Sequence, residues 1–317
     1  MIIMKIVRFF SIFTATLLIT VTGCNKGDDG KKNNGTMTLA GSSASFSIGG
    51  SGSITIDWGD GTSETRTFED YTLENFNHKY YANSAHTIII NGENITHLNC
   101  VEQGITKLDV SKLSALTYLN CYYNQLTNLD VSKNNAMAQL YCESNQLTQL
   151  DVSNNLVMIE LNCSGNQLTN LDVSKNTVLI WLSCVGNQLT NLDFSNNPAL
   201  AYLYCAANQL MSLDVSKQPA LQDLFCNVNQ LTDLDVSNNI WLWKLYCDDN
   251  QLTSLDVSKN IRLYELRCDN NNLSEDALNS LFGTLHNNSS GTIYIDNNPG
   301  SVGCNRSIAT DKRWVVW

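Results

Sequence analysis

The sequence predicts a mainly β chain: a solenoid of nine 21-residue coils preceded by a small β-sandwich. Three observations carry this reading. From Ile95 one pattern, LxxLxCxxNQLTxLDVSxNxx, recurs nine times at a spacing of 21, the last copy breaking at Asn272, and a fixed period of roughly 20–50 residues marks stacked repeats. Residues 37–93 are short alternating stretches rich in β-branched side chains, divided by Gly and Asn. Residues 1–23 have a composition of their own, with two cations ahead of a short apolar run.

In MIIMKIVRFF the cations are Lys5 and Arg8, and SIFTATLLIT follows as an apolar run too short to span a bilayer as a mature helix. This is the pattern of a secretory signal peptide over 1–23. It ends in Val21-Thr22-Gly23-Cys24, which resembles a bacterial lipobox. The resemblance implies cleavage before Cys24, lipidation of Cys24 and anchoring in the cell outer membrane. Residues 24–36 then read as the lipidated cysteine and a flexible tether, since NKGDDGKKNNGT lacks apolar side chains. Asp28 and Asp29 resemble the surface-export signals of some Gram-negative lipoproteins, which implies outward display over periplasmic retention.

The 317-residue chain carries a net charge of −11, and only 15% of its residues are charged. A basic face for phosphate neutralisation is absent, so nucleic acid is an unsuitable partner. Electrostatic docking on anionic lipid is disfavoured for the same reason. Neither point bears on a covalent lipid anchor.

Within 37–93 the stretches SFSIGG, SITIDW, TSETRTF and HTIIING read as strands. Asp60-Gly61 is expected to form a type I′ hairpin turn. Asp57-Trp58-Gly59-Asp60-Gly61, with Asn77-His78-Lys79-Tyr80 downstream, resembles the WGDG and HxY signatures of PKD-type immunoglobulin-like domains. The sequence departs from that pattern after HxY, where YANSAHTIII stands. Asp57 and Asp60 are expected to brace the turn beside a packed Trp58 in preference to binding calcium. His78 is expected to be a hydrogen-bonding core residue.

The nine units, over 95–273, start at Ile95, Leu116, Met137, Met158, Leu179, Leu200, Leu221, Leu242 and Leu263. The pattern resembles the leucine-rich repeat, with cysteine in the third apolar slot. It is closer still to the 21-residue cysteine-bearing repeat of certain bacterial internalin-type surface proteins. Positions one, four, six, eleven, fourteen and sixteen are expected to point inward, and one coil buries too few of them to order itself alone, so stacking must stabilise each coil. The ninth position holds Asn124, Asn145, Asn166, Asn187, Asn208, Asn229, Asn250 and Asn271, with Gln103 in the first unit. The resemblance implies that these asparagines satisfy turn backbone. The aspartates from Asp109 to Asp256 precede Val-Ser or Phe-Ser, and local hydrogen bonding to backbone is preferred over calcium.

Cys100, Cys121, Cys142, Cys163, Cys184, Cys205, Cys226, Cys247 and Cys268 recur every 21 residues. Metal sites gather thiolates by CxxC-type spacing onto one ion, and no CxxC occurs. Parallel in-register strands project these side chains the same way, and an odd number cannot pair completely. The preferred reading is therefore a packing residue, with partial disulfides or metal as lesser readings and Cys304 unassigned. Residues 274–317 read as a cap: an amphipathic helix with Ser274 as N-cap and Glu275 and Asp276 in its first turn, a strand at 292–296, a turn at 297–300 and a closing WVVW.

Four scattered histidines (His78, His86, His97, His286) and the lack of GxSxG, P-loop and HExxH motifs argue against an enzyme, and no cofactor or metal is expected. The third and fifth positions of each unit are expected to point outward on the concave face. They read His97/Asn99, Tyr118/Asn120, Gln139/Tyr141, Glu160/Asn162, Trp181/Ser183, Tyr202/Tyr204, Asp223/Phe225, Lys244/Tyr246 and Glu265/Arg267. Tyr118, Tyr141, Trp181, Tyr202, Tyr204, Phe225 and Tyr246 are thus the expected ligand-binding residues, with an exposed aromatic patch from Trp181 to Tyr246. Trp and Tyr anchor protein interfaces; flat rings also stack on sugars, and aromatics favour strands without any ligand. A surface-displayed protein that binds a protein partner is preferred, with a glycan-binding accessory lipoprotein or a structural envelope protein as alternatives.

Overall fold

The computed structural model describes residues 34–287 and 290–317. The expected signal peptide, Cys24 and residues 25–33 of the tether lie outside the described residues.

Two long strands, β1 (Asn34–Asp57) and β2 (Ser63–Asn91), build the N-terminal unit. They pair antiparallel in three stretches, 34–41 with 84–91, 43–50 with 72–79 and 52–57 with 63–68, and the register slips at Gly41/Ser43 and Gly50/Gly52. Residues 55–57 pair also with 89–91. The strands therefore fold into two layers, and side chains alternate into a shared core that includes Met37, Leu39, Phe46, Ile48, Ile54, Ile56, Phe76 and Ile88.

The turn between β1 and β2 differs from the expected type I′ pair. It spans Trp58 to Thr62, closed by Trp58 N–H donating to Thr62 O at 3.0 Å. Gly59 and Gly61 take the positive φ angles, 76° and 90°. Asp60 instead accepts from the Thr62 amide and hydroxyl and lies 2.7 Å from His78 Nε2. These bonds hold the Asp60 carboxyl well below its ordinary range. His78 stacks on Trp58 at 4.7 Å, and the Tyr80 hydroxyl donates to Trp58 O at 3.0 Å.

This unit passes into the repeats through shared hydrogen bonds. Residues 47–51 of β1 pair with β3 (Asn94–Asn99), while residues 36–39 pair with β4 (Ile105–Asp109). The two layers thus grip the first coil on two sides, and one hydrophobic core runs from Met37 to Trp314.

Eight three-residue strands follow, each parallel to the last: β5 (Tyr118–Asn120), β6 (Gln139–Tyr141), β7 (Glu160–Asn162), β8 (Trp181–Ser183), β9 (Tyr202–Tyr204), β10 (Asp223–Phe225), β11 (Lys244–Tyr246) and β12 (Glu265–Arg267). Their middle leucines stand in register and are fully buried. The nine repeat cysteines are buried free thiols, and burial pushes the Cys100 thiol up to about 12.

Each ninth-position asparagine bonds two coils together. Asn166 Nδ2 donates to Cys142 O and to Cys163 O, both at 3.0 Å, while its Oδ1 accepts from Leu147 N at 3.0 Å. A second column stands at the nineteenth position: Asn134, Asn155, Asn176, Asn197, Gln218, Asn239 and Asn260, all fully buried. Asn176 Nδ2 donates to Val152 O and Asn155 O at 3.0 and 2.9 Å. On the far side of each of the first eight coils an aspartate accepts from the serine amide two residues on, at 2.7–2.9 Å.

The C-terminal end closes with α1 (Glu275–Thr284), whose N-cap Ser274 accepts from Ala277 N. Then β13 (Gly291–Tyr294) and β14 (Trp314–Val316) extend the sheet in parallel, with α2 (Ser307–Thr310) between them. Leu278, Leu281, Phe282 and Trp314 cover the open end of the core, and Cys304 is half-buried against it.

The eighth position of every repeat lies in the left-handed region, at φ 51–67° from Glu102 to Asn270. Gly165 and Gly186 suit it, whereas the β-branched Val228 at φ 55° is strained. Val228 is 45% exposed, so its side chain contributes little packing. Val228→Gly is expected to raise stability by roughly 1 kcal/mol and Gly186→Val to lower it by roughly 1–3 kcal/mol, measured as shifts in the urea midpoint at constant slope.

Candidate functional site

The outward face of the parallel sheet is the candidate site, because its side chains are not fixed by the repeat. Strand alternation turns positions three and five away from the buried leucine. The structure brings six of the seven sequence-predicted aromatics into one continuous row, Tyr202 standing outside it. Ring centroids lie 5.6 Å apart for Tyr118–Tyr141, 6.4 Å for Tyr141–Trp181, 5.7 Å for Trp181–Tyr204, 4.7 Å for Tyr204–Phe225 and 4.1 Å for Phe225–Tyr246. His97 begins the row, 5.5 Å from Tyr118. Arg267 ends it, its guanidinium 4.5 Å from the Tyr246 ring and 4.8 Å from the Tyr294 ring.

The expectation of an exposed patch is corrected here. Tyr204 and Phe225 are buried, at 6% and 8% exposure, because their rings lie against neighbouring rings instead of standing into solvent. Tyr118, Tyr141, Trp181 and Tyr246 are half-buried and present the accessible part of the row, and Tyr202, also half-buried, stands beside it. Tyr204 and Phe225 serve as its floor.

The tyrosine hydroxyls are aimed by acids on the next coil. Tyr141 donates to Glu160, Tyr246 to Glu265 at 2.6 Å, and Tyr204 to Asp223 at 3.4 Å. Tyr202 donates to Gln222 at 3.1 Å. The face is therefore an apolar strip with fixed acceptors along it, suited to stacking and hydrogen bonding.

Beside the strip, the seventh position carries three acids whose perturbation the sequence reading missed, Glu143, Asp248 and Asp269, each pushed up first by burial. Burial pushes Glu143 up to about 7, and one carboxylate oxygen has no hydrogen-bond partner among the described residues. Asp248 is pushed up to about 7 by burial and then by Asp269. The available signal was a charged residue in a slot filled elsewhere by Val101, Ser164, Val185 or Ala206. Among the described residues, no cluster of three or more His, Cys, Asp or Glu is placed to hold a metal ion. His78 and His86 both pack against Tyr80 and bond Asp60 and Ser84, while His97 and His286 lie apart, against Thr96 and Trp314.

A carboxyl that binds its proton more tightly when folded stabilises the fold while protonated. For Glu143 that contribution is complete below the ordinary value of 4.5 and is lost as pH rises through about 7. Glu143→Gln is therefore expected to flatten the decline in stability between about pH 4.5 and 7, read from urea midpoints across that range. An unchanged slope would count against the buried-acid assignment.

No protein-family model and no curated protein matches the sequence. Among solved structures, the functional domain of InlJ from Listeria monocytogenes, described as including a cysteine ladder, is similar at 36% identity and a TM-score of 0.58. The match covers 65% of this chain and 50% of that one, so the chain spans half the length of that internalin-type structure. The leucine-rich repeat domain of APL1B matches at a TM-score of 0.54 and 21% identity, over 64% of this chain and 61% of that chain. With its stacked 21-residue coils and in-register parallel strands, the chain has the leucine-rich repeat fold.

Proposed function

We propose that the chain is a non-enzymatic, lipid-anchored protein of the cell outer membrane, displayed at the surface, whose sheet face binds a protein partner. The observation that carries the reading is the aromatic row from Tyr118 to Tyr246 on slots that the repeat leaves open. Trp and Tyr with fixed acceptors beside them are the composition of interface anchors. The similarity to InlJ, which shares the cysteine-bearing coil, supports a scaffold whose ligand preference lies in its outward slots. The lipobox-like Val21 to Cys24 and the tether behind it support anchoring, with 37–93 acting as a spacer and N-terminal cap.

The test is a double substitution of accessible ring residues, Trp181→Ala with Tyr202→Ala, leaving the floor residues Tyr204 and Phe225 intact. Cross-linked pull-down from cell-surface protein, quantified by mass spectrometry, is expected to lose its specific partner. Affinity for that partner should fall at least about 30-fold, corresponding to roughly 2 kcal/mol for an anchor pair. The cost to stability should stay near 1–2 kcal/mol, from the lost ring contacts. Equal capture by wild type and variant would refute the site, and binding only on a glycan array would reassign it to carbohydrate.

A further inference from the structure

The last three coils carry a second apolar surface, on the edge where each coil enters its strand. Ile240, Trp241, Trp243, Ile261 and Tyr264 are 39–64% exposed. They occupy equivalent positions 21 residues apart, with Ile240 beside Ile261, Trp241 beside Arg262 and Trp243 beside Tyr264. A bond from Tyr264 N to Trp243 O at 3.0 Å fixes the last pair on neighbouring coils. Elsewhere the same edge holds Ser114-Ala115, Asn135-Ala136, Thr177-Val178, Pro198-Ala199 and Pro219-Ala220, with Leu156-Val157 the only other bulky pair. The repeat therefore does not require large side chains there. A contiguous exposed apolar patch of this kind marks an interaction site.

Its charge is distinctive. The Arg262 guanidinium lies 3.8 Å over the Trp241 ring and Lys244 Nζ lies 5.8 Å from the Tyr264 ring. Arg262 has no carboxylate partner among the described residues, whose ion pairs involve Arg66, His78 and Arg267, whereas Lys244 stands between Asp223 and Glu265 on the neighbouring strands and favours the charged form of Asp223. Residues 236–247 and 257–264 contain no Asp or Glu, in a chain of net charge −11. Asp235, Asp248, Asp256 and Glu265 flank these stretches, and Glu265, three residues from Arg262, is occupied by Tyr246 and Arg267. Stacking on a ring leaves the edges of a guanidinium facing outward, and that planar fork matches a carboxylate.

We propose that this edge is a docking surface for a protein segment in which apolar side chains alternate with Asp or Glu. The branched Ile240 and Ile261 offer burial that a hydroxylated sugar face does not use. An anionic membrane is opposed by the acidity of the rest of the chain. A carboxylate on the partner would pair with Arg262, and its apolar side chains would cover Trp243 and Ile261. The surface borders the sheet face at Lys244, but its apolar residues and Arg262 stand on the coil edge outside the strands, so the inference stands whether or not the aromatic row binds a partner.

The experiment is selection of a displayed random-peptide library on the full chain, with depletion on a Trp243→Ser/Ile261→Ser variant. Both residues are exposed, and an unchanged melting curve verifies the variant's fold. Enriched peptides are expected to combine Asp or Glu with apolar residues. Synthetic copies should bind wild type at least about tenfold more tightly than the variant. Arg262→Gln should weaken binding and reduce its salt dependence, while Trp181→Ala with Tyr202→Ala should leave it unchanged. Enrichment of neutral or basic peptides, or none, would overturn the proposal. So would loss through the same double substitution of binding to polygalacturonate or to phosphatidylglycerol vesicles, or of self-association in sedimentation.

Discussion

Everything in the repeat region rests on amides that reach from one coil to the next. A 21-residue coil turns its backbone too tightly to satisfy its own inward carbonyls, and no water reaches them in the core. Asn166 answers this on the strand side, donating to one carbonyl of its own coil and one of the preceding coil while accepting an amide in return. Asn176 answers it on the opposite side with two further bonds to the coil before. Each buried group so satisfied would otherwise cost roughly 1–3 kcal/mol. Because the bonds cross between coils, no coil can form them alone, and folding propagates along the stack.

That constraint sets the remaining chemistry. The chain must turn sharply before each ninth-position asparagine, which places the eighth residue at positive φ in every coil. The small cysteine fits the narrow space beside that turn, where burial leaves its thiol protonated. The ends need different solutions, since an end coil lacks a neighbour on one side. At the first coil β1 supplies hydrogen bonds through β3 and β4; at the last, α1, β13 and β14 cover the core. Only the outward strand positions and the coil edges are left to vary, and the aromatic row and the Trp243 edge both occupy such positions.

Much of this was legible in the sequence, because a period of 21 fixes which positions face inward. The Asp-to-Ser backbone bond and the Ser274 cap follow from local chemistry, and the role of Asn124 and its equivalents is what the resemblance to the leucine-rich repeat implies. The second asparagine column was not legible, because Asn in a polar SxN stretch resembles ordinary turn composition. Gln218 in that column is also too unlike a turn residue to suggest a shared role. Asp60 was expected to brace its turn and does so through Thr62 and His78; what the sequence did not reveal is that Gly59 and Gly61, not Asp60, take the positive φ angles. At the candidate site, the outward direction of Trp181 and Tyr204 was readable. Their different burial was not, because it depends on rings from adjacent coils lying against each other.

The central claim is that amide bonds between coils, not the cysteine column, hold the stack. The most direct measurement compares urea unfolding of Asn166→Ala and Cys163→Ala in the same coil. Asn166→Ala removes the partner of three buried backbone groups and is expected to cost at least about 3 kcal/mol. Cys163→Ala removes one small buried group and should cost about 1 kcal/mol. A loss at Cys163 equal to or greater than that at Asn166 would contradict the account.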